Sequence, residues 1–341
     1  MPTYAYPTSN ELEVIEQKLL PRLTADSPFF SIMPFEGANE TLLRWEQEDD
    51  YVGLQQIRGY GGAPPRVARV GIKEYIAKPG VYGEYIMLDE EELTNRRAMG
   101  SYGAPIQISD IVARAHAQLL TRRIARQEKI IADLLVNGTF SVADINGKTL
   151  ISDSFTPQTF TASVPWSTVA TSTPIADLRA CQLIPVGQSV RVDATSEVWM
   201  NRVTANYLLS NTNANDLGGR RLYGLSPANS IEAVNMILQG EDLPQIRIYE
   251  GGYKADNGTW TRFLATGKAL LVGRRTSGAK IGGYRYTRNI NSPNAAPVPY
   301  VRVIDKGEEN IPGVIEVHDG HNGGPVLYFP GALVTLTNLS A

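Results

Sequence analysis

The chain is poor in the residues that most often build reactive or cross-linked sites. Its 341 residues include one cysteine, Cys181, and three histidines. A single thiol excludes a disulfide within the chain, and so few histidines leave little for a zinc centre. The neighbours of Cys181, in the stretch ADLRACQLI, predict a buried apolar side chain and not a catalytic thiol. We expect no cofactor and no metal.

Long apolar runs and strong net charge are also missing. No run of about 18 apolar residues occurs, so we expect no membrane-spanning helix. The first residues, MPTYAYPTSNELEVIEQ, lack the basic and then apolar pattern of a secretion signal, which predicts a soluble protein made inside the cell. The net charge of −3 argues against a chain whose main task is to coat nucleic acid.

Catalytic signatures are not found either. Residues 147–149 read Gly-Lys-Thr, but Val142 stands where a phosphate-binding loop needs glycine, so a hairpin turn is predicted. His318 and His321, with Asp319, could hold a divalent ion, although a polar loop is the favoured interpretation of HDGHNGG. We predict that the chain is not an enzyme.

What the chain does have is one long helix. Residues 108–136 contain neither Gly nor Pro, and the following Asn137-Gly138 is a typical helix stop. About 28 residues make a rod of roughly 40 Å. Apolar residues recur on one face, whereas Arg122, Arg123 and Arg126 are predicted to lie on the other.

The region before this helix has too few bulky apolar residues to form a core of its own. Residues 8–11 resemble a capping box, and the helix that follows is expected to end at Pro21. Residues 27–37, SPFFSIMPFEG, predict an extended tether. Residues 41–48, 51–58, 67–76 and 81–88 predict strands around a Gly/Pro-rich tip at 59–65. A two-stranded projection is marginal alone, so we expect it to rest on a partner; the alternative is a β-subdomain folded back on the body.

The second half predicts a mixture of helices and strands. Helices are expected at 173–184, 196–210 and 230–239. Strands are expected at 190–194, 245–250, 261–265, 269–272, 284–288, 300–304, 311–317 and 326–337.

Four stretches, in this order, resemble a known family. They are RVGIKEYIAKPGVYGEYIMLDEEELTNRR, TRRIARQEKIIADLLVNGTF, VPWSTVATSTPIADLRACQLI and LPQIRIYEGGYKADNGTWTRFLATGKALLVG. The chain is similar in these stretches to the major capsid proteins of tailed bacteriophages, particularly the lambda-type capsid protein E group.

The resemblance implies an α+β chain with the Hong Kong ninety-seven-type capsid fold. It implies an N-terminal arm at 1–35, an extended β-hairpin E-loop at 36–100, and a P-domain at 101–165 and about 285–325 that carries the spine helix 108–136. An α/β A-domain would take 166–284 and 326–341. Such chains form hexamers and pentamers of an icosahedral head around double-stranded DNA.

The resemblance also implies the partners. The first is the chain itself, and scaffolding, decoration and portal proteins could follow; packaged DNA would be contacted weakly and without specificity, and no membrane is involved. The expected location is the virion capsid, assembled in the host cytoplasm. An encapsulin-like nanocompartment shell is the nearest alternative, and a cytosolic β-rich hydrolase is the alternative from another class.

Three groups of residues are candidates for contacts between subunits. They are the loop tip (Gly59, Tyr60, Pro64, Pro65, Arg66), an acidic run (Glu90, Glu91, Glu92) and the spine arginines (Arg122, Arg123, Arg126). The arginines could pair with the acidic run of a neighbour or contact packaged DNA. The low net charge favours the ion pairs.

Overall fold

A computed structural model describes most of the chain: residues 7–48, 54, 57, 60, 72–89, 91, 107–143, 148–186, 190–211, 230–255, 257–275, 278, 280–306 and 314–340. The helices are α1 (Ser9–Thr24), α2 (Pro28–Ile32), α3 (Ile108–Ala132), α4 (Pro174–Leu183), α5 (Arg202–Leu209) and α6 (Ile231–Gly240). None of the described helices is long and apolar enough to cross a membrane.

The strands come in groups between and after these helices. In the first half they are β1 (Phe35–Gly37), β2 (Leu43–Glu48), β3 (Ile72–Ala77), β4 (Gly80–Leu88), β5 (Thr139–Ala143), β6 (Thr149–Ser154) and β7 (Gln158–Thr161). In the second half they are β8 (Val190–Arg191), β9 (Glu197–Met200), β10 (Gln245–Ile248), β11 (Gly252–Lys254), β12 (Trp260–Arg262), β13 (Ala269–Val272), β14 (Arg274–Arg275), β15 (Gly282–Tyr286), β16 (Tyr300–Asp305), β17 (Ile315–Leu327) and β18 (Leu333–Thr337).

The long helix α3 confirms the predicted spine. It continues without a break into one π-helical turn, Asp133–Asn137, and stops at Gly138, whose φ of 69° is left-handed. A side chain at Gly138 would collide with the carbonyl of Phe155, so both conformation and space require glycine there.

The N-terminal region differs from two predictions, the end of its helix at Pro21 and the extended tether at residues 27–37. The Thr8–Glu11 capping box is present, but α1 runs through Pro21 to Thr24. In this last turn the hydroxyl of Thr24 donates to the carbonyl of Leu20 at 2.9 Å.

The predicted tether at residues 27–37 is α2 followed by β1, and its apolar side chains are buried in the main core. Phe29 lies edge-on to Trp199 and Tyr249, at ring distances of 5.6 and 5.1 Å. The apolar residues that suggested a docking tether are therefore buried within the same subunit.

One mixed sheet lies against the spine. Its order is β1-β15-β17-β16, and β4 pairs antiparallel with the other side of β17. The sequence prediction of a short strand followed by a polar loop at 318–324 is wrong, because β17 is a central strand of 13 residues. Glycine makes this possible, since a side chain at Gly320 would collide with the carbonyl of Tyr82 on β4.

The strand predicted at 81–88 as part of the projection is β4, which pairs with β17 of the body instead. β2 and β3 form an antiparallel hairpin, as predicted for the outgoing and returning strands. Its base rests on the body: Leu43, Ala77 and Val326 form a small buried cluster, and the Gln47 amide donates to the Leu327 carbonyl at 2.9 Å. The loop that joins the two strands is described only at Leu54, Ile57 and Tyr60, which are exposed.

A second sheet, in the order β10-β9-β13-β18-β7, carries the other large core. The prediction of a helix at 196–210 is wrong for the first turn, because Val198, Trp199 and Met200 belong to a buried strand that is paired on both sides. Asn201 then caps α5 by accepting from the amide of Thr204 at 2.8 Å. The predicted strand 326–337 is divided by a turn at Pro330–Ala332.

Candidate assembly surfaces

Arg123 is the centre of a buried charge cluster, which corrects its predicted place on the free side of the spine. Its guanidinium donates to both carboxylate oxygens of Asp319, at 3.0 and 2.8 Å, and also contacts Glu16 of α1. Only 6% of Arg123 is exposed. The spine is covered on this side by α1 and β17, so Arg123 joins three elements of one subunit.

The carboxylates of Asp319 and Glu16 both contact the guanidinium of Arg123, and the pKa values in this cluster are shifted. Burial raises the pKa of Asp319 to about 6, opposed by Arg123 and reinforced by Glu16. His116 lies beside it, with Nδ1 3.9 Å from the Asp319 carboxylate. Burial and the charge of Arg123 lower the pKa of His116 to about 4, so the imidazole is neutral at pH 7. Arg123 is therefore the main positive charge of the cluster.

Arg122 faces solvent and has a partner in its own chain. It donates through Nε and Nη2 to the Glu84 carboxylate on β4, at 2.5 and 3.0 Å. The hydrogen bond from Arg122 lowers the pKa of Glu84. Both side chains are at least half exposed, so this pair contributes no more than about 1 kcal/mol to subunit stability.

A groove runs between the spine, β4 and the β11–β12 hairpin, which we call the spine groove. It encloses about 590 Å³, and its cationic lining comprises Arg122, Arg123, Arg126, Lys129 and Lys254. Arg126 is exposed, as the sequence predicted for its face of the helix. Lys129 pairs with Asp133 at 2.7 Å and lies over the ring of Tyr253. The carboxylates of Glu84 and Asp319 line the spine groove beside these five cations.

The strand β4 also carries apolar side chains that are exposed. Val81, Tyr85 and Met87 alternate along β4 and are 76%, 58% and 54% exposed. The ring of Tyr85 stacks on His318 at 5.0 Å. Apolar side chains that alternate with inward-facing residues on an exposed strand are typical of a surface that another chain covers.

The loop between β2 and β3 adds a second apolar set. Leu54, Ile57 and Tyr60 are 97%, 99% and 112% exposed. Glu91 is also exposed. The other loop-tip and acidic-run candidates lie outside the described residues; they are Gly59, Pro64, Pro65, Arg66, Glu90 and Glu92.

The histidines of HDGHNGG lie on β17 and not in a loop. His321 is buried, and its Nε2 is 2.9 Å from the hydroxyl of Tyr284. His318 Nε2 is 2.9 Å from the Glu316 carboxylate on the other face of the strand pair. Across the described ranges, no group of three or more His, Cys, Asp or Glu side chains has the arrangement of a metal site.

The family model of the phage major capsid protein E matches residues 16–337. The chain belongs to the phage major capsid protein E family. No relative was found among curated protein sequences. The family match agrees with the resemblance stated above and covers nearly the whole chain.

Solved structures show the same fold for this capsid protein. A prophage protein of E. coli CFT073 described as a capsid protein superposes with a TM-score of 0.63 at 16% identity, over 98% of this chain and 99% of that one. A phage-related protein from Bordetella bronchiseptica RB50 gives 0.58 at 10% identity, over 98% of both chains. The capsid of a native GTA particle gives 0.54 at 12% identity, over 92% and 90%. The capsid-type α+β fold is confirmed.

Sequence reasoning did not find the spine groove or the exposed row on β4. The alternation of Val81, Tyr85 and Met87 was present in the strand pattern, but the pattern does not say which face the spine covers. The groove depends on β11 and β17, which are more than 100 residues from the arginines and could not be placed beside them by spacing.

Proposed function

We propose that this chain builds the icosahedral head of a tailed double-stranded DNA phage by forming hexamers and pentamers of itself. The observation that carries the proposal is the complete exposure of Leu54, Ile57 and Tyr60 in the chain between β2 and β3. Large apolar side chains in that state gain by burial against another molecule, each by about 1.5–3 kcal/mol. The family membership makes a second copy the natural acceptor.

The division of the chain supports this use of the loop. We assign residues 1–35 to the arm, 36–100 to the E-loop, 101–165 and about 285–325 to the P-domain, and 166–284 with 326–341 to the A-domain. The arm docks on its own spine through α1, and the base of the E-loop rests on β17. The part left to reach a neighbour is the loop beyond β2. A loop on one side and an acceptor face on the other give a head-to-tail contact, which closes a ring when repeated around an axis.

The remaining partners and the location follow from the same role. We infer that the shell lies in the virion, is assembled in the host cytoplasm, and takes scaffolding, decoration and portal proteins as further partners. We also infer that the chain has a structural and not an enzymatic task. Contact with packaged DNA would be weak, because the net charge is −3. An encapsulin-like shell would use the same self-association, but the family match favours the phage head.

Size-exclusion chromatography and negative-stain microscopy of the purified chain test the proposal. We expect ring-shaped capsomers or closed shells. A stable 37.3 kDa monomer at every concentration tried, above all one with hydrolytic activity, would overturn it. Shells that hold a cellular protein as cargo and no phage genome during infection would favour the nanocompartment instead.

Shell formation is expected to be indifferent to reductant and chelator. Cys181 is the only cysteine, it is fully buried, and burial raises the pKa of its thiol to about 12. Assembly yield should therefore be the same with and without dithiothreitol or EDTA, as counted on micrographs. Particles that dissolve in EDTA would point to an ion site, and the first residues to examine would be His318 and the acidic run.

A further inference from the structure

Three buried polar groups of the spine groove have no hydrogen-bond partner among the described residues. They are Nε of Arg123, Nδ1 of His321 and the hydroxyl of Tyr82, and all three residues line the groove. Arg123 and His321 are only 6% and 1% exposed, so bulk solvent does not satisfy them. Buried polar groups in folded proteins are rarely left unsatisfied, so these three mark a place that a polar ligand would complete.

Two exposed cations of the same groove are also without an ionic partner. Arg126 of α3 and Lys254 of β11 line the groove, and neither forms an ion pair with any residue that the structure describes. Burial raises the pKa of Tyr82 and the charge of Arg126 opposes this rise, so Arg126 lies within electrostatic reach of the unsatisfied hydroxyl. The groove therefore offers cations from two elements, the spine and the β11–β12 hairpin, beside the unsatisfied groups.

The cations select an anionic ligand. Five cations and two carboxylates line the groove, which leaves an excess of positive charge. Arg123 Nε, Arg126 and Lys254 can donate hydrogen bonds but cannot accept them. Charged oxygens would satisfy all three, and hydrogen bonds between a charged donor and a charged acceptor are among the strongest in proteins.

The acceptors in the groove narrow the choice of anion. The carboxylates of Asp319 and Glu84 are part of the lining, and an anion without a proton would meet both with like charge and no hydrogen bond. His321 Nδ1 and the Tyr82 oxygen can also accept, depending on where their protons lie. The ligand that suits this mixture carries negative charge and at least one O–H.

Free phosphate has this combination at neutral pH, because its ions keep at least one O–H beside their charged oxygens. Sulfate and the phosphodiesters of DNA carry no such proton. A phosphate monoester loses its last proton with a pKa of about 6, so little of it is protonated above neutral pH. The proton therefore distinguishes free phosphate from the phosphates of packaged DNA and of nucleotides.

We propose that the spine groove is a binding site for free hydrogen phosphate, whose charged oxygens accept from Arg126, Lys254 and Arg123 Nε while its O–H donates to the acidic lining. The volume of about 590 Å³ admits the ion together with bridging water molecules. Bound phosphate would link the spine to the β11–β12 hairpin, beside the contact of Lys129 with the Tyr253 ring. The site belongs to a single subunit, so its occupancy does not depend on whether subunits assemble.

Equilibrium dialysis of the full chain against radiolabelled inorganic phosphate, at roughly pH 7.5 and fixed ionic strength, tests the site. We expect saturable binding of one phosphate per chain. Sulfate, dimethyl phosphate and a nucleoside monophosphate serve as competitors. Each should displace the label at least about tenfold less well than unlabelled phosphate, because its sulfate or phosphate group has no O–H to donate to the carboxylates at this pH.

Two groove variants test the assigned contacts. Arg126→Gln with Lys254→Gln should weaken phosphate binding by at least about tenfold, and Tyr82→Phe, which removes one hydroxyl, by about three- to tenfold. Thermal melting without phosphate should be nearly unchanged, because the removed groups have no hydrogen-bond or ion-pair partner to lose in the described subunit. The rise in melting temperature that phosphate causes should shrink in both variants.

A matched control removes the effect of net charge. Lys18→Gln with Arg114→Gln makes the same change on two exposed cations that do not line the groove. Its affinity for phosphate should stay within about twofold of the original, because screening weakens the influence of distant surface charges.

The outcomes separate this site from the proposed function. No saturable binding at about millimolar phosphate would overturn the site and leave the function standing, whereas a chain that binds phosphate but never assembles would do the reverse. Equal displacement by sulfate would overturn the assignment to hydrogen phosphate. Stronger displacement by dimethyl phosphate or by the nucleoside monophosphate would assign the groove to DNA or to a nucleotide instead. Unchanged affinity in the groove variants, or an equal loss in the control, would place the bound phosphate elsewhere.

Discussion

Replacing Arg123 by methionine is expected to lower the free energy of unfolding of the subunit by about 3–5 kcal/mol. The change leaves Asp319 and Glu16 without their shared cation, and Asp319 is buried. Methionine fills much of the same volume, so the loss reports the uncompensated carboxylates and not a cavity. Chemical denaturation of a dissociated, unassembled form of the subunit gives the measurement.

Arg122→Met is the matched control for Arg123→Met. It alters the neighbouring residue on the same helix, but its pair with Glu84 is exposed to solvent and should be worth about 1 kcal/mol or less. Adding Asp319→Asn to Arg123→Met should recover part of the loss, because one of the two stranded charges is removed. Equal losses for Arg122→Met and Arg123→Met would show that the buried cluster does not stabilise α1 against the spine.

The contrast between these two arginines shows what the sequence could and could not predict. The length and end of the spine followed from the absence of Gly and Pro before Asn137-Gly138, because helix periodicity and helix stops are local properties. The burial of Arg123 is not local. It depends on α1 from 100 residues before and β17 from nearly 200 residues after, which close over the side of the helix that carries it.

Two misread segments have related causes. Residues 197–200 were expected to be helical, because the spacing of a short apolar run does not distinguish a buried strand from a buried helix. They form a strand that pairs with a neighbouring strand on each side. Residues 318–324 were expected to form a loop because they are polar and rich in glycine. Close approach of β4 and β15 to β17 is what requires glycine at Gly320 and Gly323, so the same composition marks a crowded strand.

The assembly surfaces were predictable only in part. Tyr60 was singled out as a candidate for contact, because a Gly/Pro-rich tip between strands is poor in core-forming residues. Whether it contacts a neighbour stays a prediction. Leu54 and Ile57 were not singled out, because the alternation of residues does not tell whether another part of the chain covers them. Their exposure is a property of the folded subunit, and it is the reason for expecting the loop to be an assembly element.

Replacing Leu54, Ile57 and Tyr60 together by serine is expected to abolish shell assembly while the subunit stays folded. The three side chains are exposed, so their loss removes no burial from the subunit, and its stability should change by no more than about 0.5 kcal/mol per site. If a neighbour buries them, each contact between subunits loses about 1.5–3 kcal/mol per residue, or roughly 4 kcal/mol and more in all. That raises the concentration needed for association by at least about a thousandfold. Sedimentation velocity over a range of concentrations should then show dissociated subunits where the original chain forms shells.

Apolar substitutions at the same three positions test whether the serine variant fails because apolar burial is lost or because the loop tolerates no change. Leu54→Met, Ile57→Val and Tyr60→Phe keep most of the apolar surface, so this variant should assemble within about tenfold of the original threshold. Deleting residues 59–65 should behave like the serine variant, because it removes Tyr60 and shortens the reach of the loop. Serine and apolar variants that assemble equally well would show that these side chains stay in solvent in the finished shell. The loop would then act through its length, and the deletion alone would block assembly.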